Sequence, residues 1–567
     1  MTRDNLFSLL EKEFDINHCM EVLTAIWEND RWIDFKAFEK TADYCENIMK
    51  ESGLSEVERL SLSADGTTLY GDWPMPQAWD AYSAALTIAD TGEKLADYMD
   101  TPTSLAMYSA PTQKGGISAQ VVDADILGDL NEAELSDYKG KIFLTSKKAN
   151  EVAALAIKAG AAGIVTDFVP LYPGVRDNPM DLKGHSRWES DFCFPKNDTG
   201  LFAFSLSPEN GLLLRDRMKE GAVVLSAEVN TAFRDGEAYV VSGAIPGETM
   251  EEVLAYGHLY EPGALDNASG CALILELARC LKRCIDKGVL PKPKRTLRFV
   301  VGWECVGSTA WIVAHPKRQQ NTFSGIVADM VGSEAIDNTY LRIWHNPLSN
   351  YGFADALISE LLTEQRRFLN LEYPAEQRPF SLGSDNILGD PSWDIPTVAL
   401  ITEPALSYHS SMDRPERIDP SILARCAILT GSYMWECSEM SQEECQRLND
   451  KAKKTLEETE KGCKLLQELA EQKLAEKESA PKESPIPKRL VQGCLTLQNN
   501  AKINNAPWKP AWNSELNMPL FLMDGRRSVE QVIRLSAIEA GEADLDEYRE
   551  KMTAYFQFLA EHGYLES

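Results

Sequence analysis

Two histidines and three carboxylates recur in this chain at one kind of position, just beyond a short apolar run. His258 follows VLAYG, Glu304 closes TLRFVVGW, Asp329 ends GIVAD, Asp266 lies in LDNASG ahead of a helical pattern, and His409 lies in the loop after TVALIT. Taken singly, a strand-end Asp is most often a cap or turn former and a loop His a solvated residue. Imidazole and carboxylate donors together suit zinc, and a carboxylate shared between two ions about 3.5–4 Å apart would set up water-activating hydrolytic chemistry. No thiolate belongs to the set.

Such residues converge only if the apolar runs are neighbouring strands. From 238 to about 440 the pattern alternates strand and helix, which predicts a mostly parallel sheet covered by helices on both faces. Ligands of an open α/β sheet gather at the carboxyl ends of its strands, where all five residues fall. The expected fold class is therefore α/β. Ahead of this region, 1–104 opens with helices over 5–30 and 35–53, read as the first part of the same domain. Residues 105–232 read as a β-rich insertion in which KGKIFLTSKKANEVAALAIKAGAAGIVTDF gives strand, turn, helix and strand, with Gly160 and Gly163 at the helix exit. Residues 441–488 combine a helix with a proline-rich spacer, and 489–567 form a small module with helices over 528–540 and 545–562.

Composition narrows the function classes. The 567 residues are 44% hydrophobic and carry 57 basic against 87 acidic side chains, a net charge of −30 that disfavours nucleic acid and anionic membranes as partners. Over 513–567, five basic residues face eleven acidic ones, so the last module is expected to dock on protein and not on DNA, and to be removable with solubility and activity retained. The first residues, MTRDNLFSLLEKEFD, hold no signal-peptide apolar core, and no stretch is long and apolar enough for a membrane span, so a cytoplasmic location is expected. The twelve cysteines show no CxxC and read as reduced thiols.

GHLYEPGALDNASGCALILELAR, RTLRFVVGWECVGSTAW, GIVADMVG and SYHSSMDRPERI resemble, in order, the signatures of the double-zinc aminopeptidases of clan MH, relatives of leucyl aminopeptidases and glutamate carboxypeptidase II. The β-rich insertion resembles a protease-associated (PA) domain, and the last module, together with the segment Glu304–Ser308, resembles an aminopeptidase-like subgroup carrying a C-terminal winged helix. The resemblance implies that His258 and Asp329 bind one zinc, Glu304 and His409 the other, that Asp266 bridges both through a cis bond to Asn267, and that Tyr408 donates to the oxyanion. It implies a peptide substrate and two zinc ions, one being compatible with a degraded site, and is compatible with a homo-oligomer.

Two departures bear on activity. Relatives place two adjacent glutamates, base then ligand, where Trp303-Glu304-Cys305 offers one. Glu304 is thus either ligand or base, with Glu261, Glu334 and Glu403 as nearby candidates for the other role. The usual H-x-D reads His258-Leu259-Tyr260, removing a carboxylate that would orient the imidazole, and Asp385 in LGSDN is a candidate for that outer layer. Removal of N-terminal residues from short peptides is the expected function. The alternatives are an inactive binding or scaffold protein and a glutaminyl-cyclase-like acyl transferase.

Overall fold

The computed structural model describes every residue except 128–131, 189–198, 335–338, 371, 478–484, 498–506 and 567. Its main sheet has eight strands in the order 55–64, 236–245, 296–303, 252–259, 322–329, 397–403, 340–344 and 375–378. The central four, 296–303, 252–259, 322–329 and 397–403, run parallel. Their side chains are buried almost throughout, as expected of strands covered on both faces. Antiparallel strands flank them on either side. The helix Ala268–Asp286, capped by the Asn267 side chain on the Gly270 amide, packs on this sheet beside Pro420–Glu439. Gly270 is required by close approach: a Cβ there would stand 2.2 Å from the Ala328 carbonyl oxygen.

The opening helical pattern resolves into Arg3–Glu13, Ile16–Asp30 and Phe35–Glu51, separated by the N-caps Asp15 and Asp34. A second sheet has seven strands, ordered 94–97, 78–88, 224–234, 117–123, 142–145, 163–166 and 202–205. It contains the expected strand, helix, strand unit, Ile142–Thr145, Ala149–Ala159 and Gly163–Thr166, with Gly160 left-handed at the helix end. This sheet begins at Ala78, well before the expected boundary at 105. The reason is long-range: Ala78–Ile88 pairs antiparallel with Val224–Arg234, so the insertion is closed by its first and last strands. Val224–Arg234 then continues into Gly236–Ile245 of the main sheet.

Residues 442–477 form two helices, Gln442–Glu457 and Glu460–Lys477, and most of the proline-rich spacer lies outside the described residues. The last unit has the two expected helices, Val529–Ala540 and Leu545–Glu561, a third at Ser514–Phe521, and a ladder between 488–489 and 565–566. It has its own apolar core around Leu520, Val532, Leu535, Met552, Tyr555 and Leu559. Buried polar contacts nevertheless dock it on the sheet domain. Arg489 pairs with Asp390 at 3.0 Å, both almost sealed from solvent, and Asp72 accepts the Thr496 and Leu497 amides at 2.7 and 2.9 Å. These contacts join the last unit to the sheet domain through buried polar groups. Among the described residues every cysteine is free, and no helix is long and apolar enough to cross a membrane.

Candidate metal centre

The parallel strands deliver their residues as the alternation predicts. His258 and Asp329 sit near the carboxyl ends of adjacent strands, with His258 Nε2 3.2 Å from Asp329 Oδ1 and 3.7 Å from Asp266 Oδ1. His409 Nε2 approaches Asp266 Oδ2 at 3.1 Å from the other side. Two groups result, one of His258, Asp266 and Asp329, the other of Glu261, Asp266 and His409, and the ligand atoms within each lie within 4.8 Å of one another. Asp266 belongs to both, and its bond to Asn267 is cis.

Glu304 belongs to neither group, although it lines the same cleft. Of the other candidates, Glu403 also lines the cleft and pairs with Arg342 at 3.0 Å, whereas Glu334 lies outside it, paired with Arg417. Asp385 is buried behind Glu304: its Oδ1 accepts the Cys305 amide at 2.8 Å and the Ser308 hydroxyl at 2.5 Å. It therefore fixes the segment after Glu304. Tyr408 lines the cleft with its ring stacked on His409 at 3.8 Å between centroids.

Neighbouring elements hold these loops. Asp413, four residues after His409, accepts the Leu265 and Asp266 amides at 2.8 and 3.1 Å, tying the His409 loop to the Asp266 loop. A Cβ on Gly263 would stand 2.2 Å from Asp413 Oδ2, so this junction admits only glycine. The insertion grips the His409 loop: the Trp188 amide donates to the His409 carbonyl at 2.9 Å, and buried Arg176 donates to the carbonyls of Leu406 and Tyr408. Sequence reasoning missed these supports and the cleft walls given by Tyr172 and Arg187 of the insertion and Trp512 of the last unit. Their only prior signal was chemical type within segments remote in sequence.

The electrostatics are those of a site built around positive charge. Burial opposes protonation of His258, but the charges of Asp329, Glu304 and Asp266 raise its pKa to about 10. Burial raises Asp266, yet its hydrogen bond and charge interaction with His409 hold it at about 2. Burial and the neighbouring carboxylates push Glu261 well above the carboxylate range. Burial also raises Glu304, against the opposing charge of His258. His258 Nδ1 and Glu261 Oε2 are buried without a hydrogen-bond partner. A set of imidazole and carboxylate donors crowded in this way fits zinc. A larger surface hollow near Arg3, about 1030 Å³, holds no histidine or cysteine and is lined by residues such as Glu360, Glu436 and Arg447 that ion-pair among themselves.

Residues 241–434 match the profile of Peptidase family M28. The fold is similar to that of BSAP, a zinc aminopeptidase from Bacillus subtilis, at TM-score 0.52 and 18% identity, covering 77% of this chain and 98% of that one. A Peptidase M28 precursor from Shewanella amazonensis gives 0.54 at 18% identity over 77% of this chain and 97% of its own. A Clostridium acetobutylicum protein gives 0.52 at 16% identity and spans nearly everything, 99% of this chain and 98% of that one. No curated protein sequence matches. Residues 241–434 thus match the M28 profile, and the chain is similar in fold to solved zinc aminopeptidase structures.

Proposed function

We propose that this chain is a zinc-dependent, aminopeptidase-like hydrolase that removes N-terminal residues from short peptides. The observation that carries the reading is Asp266, buried and shared between two histidine–carboxylate groups at the ends of parallel strands. His258, Asp266, Asp329 and His409 would hold the metal. When bound, zinc supplies polarisation of the scissile carbonyl and a water acidic enough to attack at neutral pH.

The remaining work falls to the chain's own side chains. Glu304, open to the cleft and outside both groups, accepts the proton of the attacking water and returns it to the leaving amine. A C–O bond forms, the C–N bond breaks, and the proton ends on the amine. Tyr408 donates its hydroxyl toward the carbonyl oxygen as negative charge develops there. The cleft, about 540 Å³, is walled by Tyr172 and Arg187 of the insertion and Trp512 of the last unit, which favours a short peptide over a folded protein. In this reading the insertion is a PA-type domain, the last unit is winged-helix-like and docks on protein, the location is cytoplasmic, and neither nucleic acid nor membrane is a partner.

The test is hydrolysis of a peptide panel with free and acetylated N-termini by the full chain, before and after chelation and zinc restoration. Zinc-dependent release of N-terminal residues from the free-amine peptides alone is expected. Absence of hydrolysis by zinc-loaded protein would leave a binding protein, and cyclisation of N-terminal glutamine without chain cleavage would favour acyl transfer.

A further inference from the structure

We propose that Glu261 is a metal ligand of the second position, beside His409 and Asp266, and that Glu304 ligates neither ion. The inference rests on the reading of this cleft as a metal centre, and assigns a role to a residue that the strand-end pattern leaves out.

The geometry begins in the backbone. The strand Glu252–Leu259 ends one residue after His258, and Tyr260 adopts a left-handed conformation, φ 71°, unusual for an aromatic residue. Surrounding contacts impose it: Asp30 Oδ2 accepts the Tyr260 amide at 3.0 Å, and the Tyr260 hydroxyl donates to the Ile33 carbonyl at 3.2 Å. The chain therefore turns sharply at 260, and Glu261 comes to lie with Asp266 and His409 inside a 4.8 Å group. Its Oε2 is buried without a hydrogen-bond partner, 3.9 Å from His258 Nδ1.

Cys305, the residue next to Glu304, does not compete for this place. Cys305 is engaged behind the cleft, its amide donating to Asp385 and its Sγ 3.6 Å from the Ser384 carbonyl. Charge points the same way. Glu261, Asp266, Glu304 and Asp329 face one cleft, where Glu403 is already paired with Arg342, and bound cations would offset the crowded carboxylates. A buried carboxylate among others is costly unless it is protonated or bound to a cation, and a shared Asp266 needs a donor on each flank.

The experiment is metal content of the full chain, by elemental analysis after equilibration with buffered zinc, for wild type, Glu261→Gln, Glu304→Gln and Glu261→His. Wild type and Glu304→Gln are expected to hold two zinc ions per chain, and Glu261→Gln one. Glu261→His restores an imidazole donor at the same place and is expected to recover the second ion, which separates lost ligation from misfolding. Two ions in Glu261→Gln would show that Glu261 only orients His258 and would overturn the proposal, as would loss of an ion in Glu304→Gln. Wild type with a single ion would overturn this assignment while leaving the hydrolase reading intact. Wild type that binds none would remove both.

Discussion

Removing Arg489 should undock the last unit. Its side chain is 6% exposed, and its guanidinium pairs with Asp390, itself fully buried, at 3.0 Å, while also donating to the Val491 carbonyl at 2.7 Å and to the Gly493 carbonyl. Arg489→Met keeps most of the apolar stem but strands the Asp390 carboxylate in the interior, a change that typically costs about 3–5 kcal/mol. The double variant Arg489→Met/Asp390→Leu removes both charges and should recover about 2 kcal/mol of that, the coupling expected of a buried pair. Urea unfolding of the full chain, followed by tryptophan fluorescence and by proteolysis, measures this. In Arg489→Met the last unit should melt in a separate, earlier transition. Because Trp512 of that unit lines the cleft, peptide KM should rise as well. A single variant within 1 kcal/mol of wild type, or strict additivity in the cycle, would refute the claim that this buried pair fixes the unit (a threshold of about the net value of one hydrogen bond).

Three further outcomes are expected. Tyr408→Phe should lower kcat about 100-fold with zinc content unchanged, the loss typical of one oxyanion donor, and an unchanged kcat would remove Tyr408 from the mechanism. Asp413→Ala orphans the Leu265 and Asp266 amides, at about 1–3 kcal/mol each, and should weaken zinc binding about 10- to 100-fold by calorimetry; unaltered affinity would show that Asp413 does not position Asp266. For the metal-free protein, the His258 pKa raised from 6.5 to about 10 gives stability that is full below pH 6.5 and lost as pH rises through 10. The raised Glu261 and Glu304 act in the same direction, so in chelator the melting temperature should be lower at about pH 9 than at pH 6.5, and zinc should shrink the difference. A metal-free protein more stable at the higher pH would contradict this charge arrangement.

What the sequence disclosed followed from periodicity. Continuous apolar runs such as TLRFVVGW and GIVADM are buried on both faces, so their ends and the residues there could be read before any coordinates. Four of the five strand-end residues, His258, Asp266, Asp329 and His409, fall into the two metal-capable groups. Glu261 was legible only as a nearby carboxylate, because the turn that carries it inward depends on Asp30, some 230 residues earlier in the chain. The boundary of the insertion was hidden for a similar reason: Ala78–Ile88 is buried at its start and alternates only toward its end, and its pairing with Val224–Arg234 is what assigns it to the second sheet. The helix Ser514–Phe521 contains Pro519, which in a linear reading argues against a helix. Docking by Arg489 and Asp390 has no local signature, since a basic residue after a proline-rich stretch looks like solvated linker.

Zinc-edge anomalous diffraction from crystals of the full chain tests the central claim most directly. The account predicts anomalous density within about 2.0–2.2 Å of His258 Nε2 and of a carboxylate oxygen of both Asp266 and Asp329, with a second peak on the other side of Asp266 beside His409. Zinc-equilibrated crystals without an anomalous peak at Asp266 would contradict it.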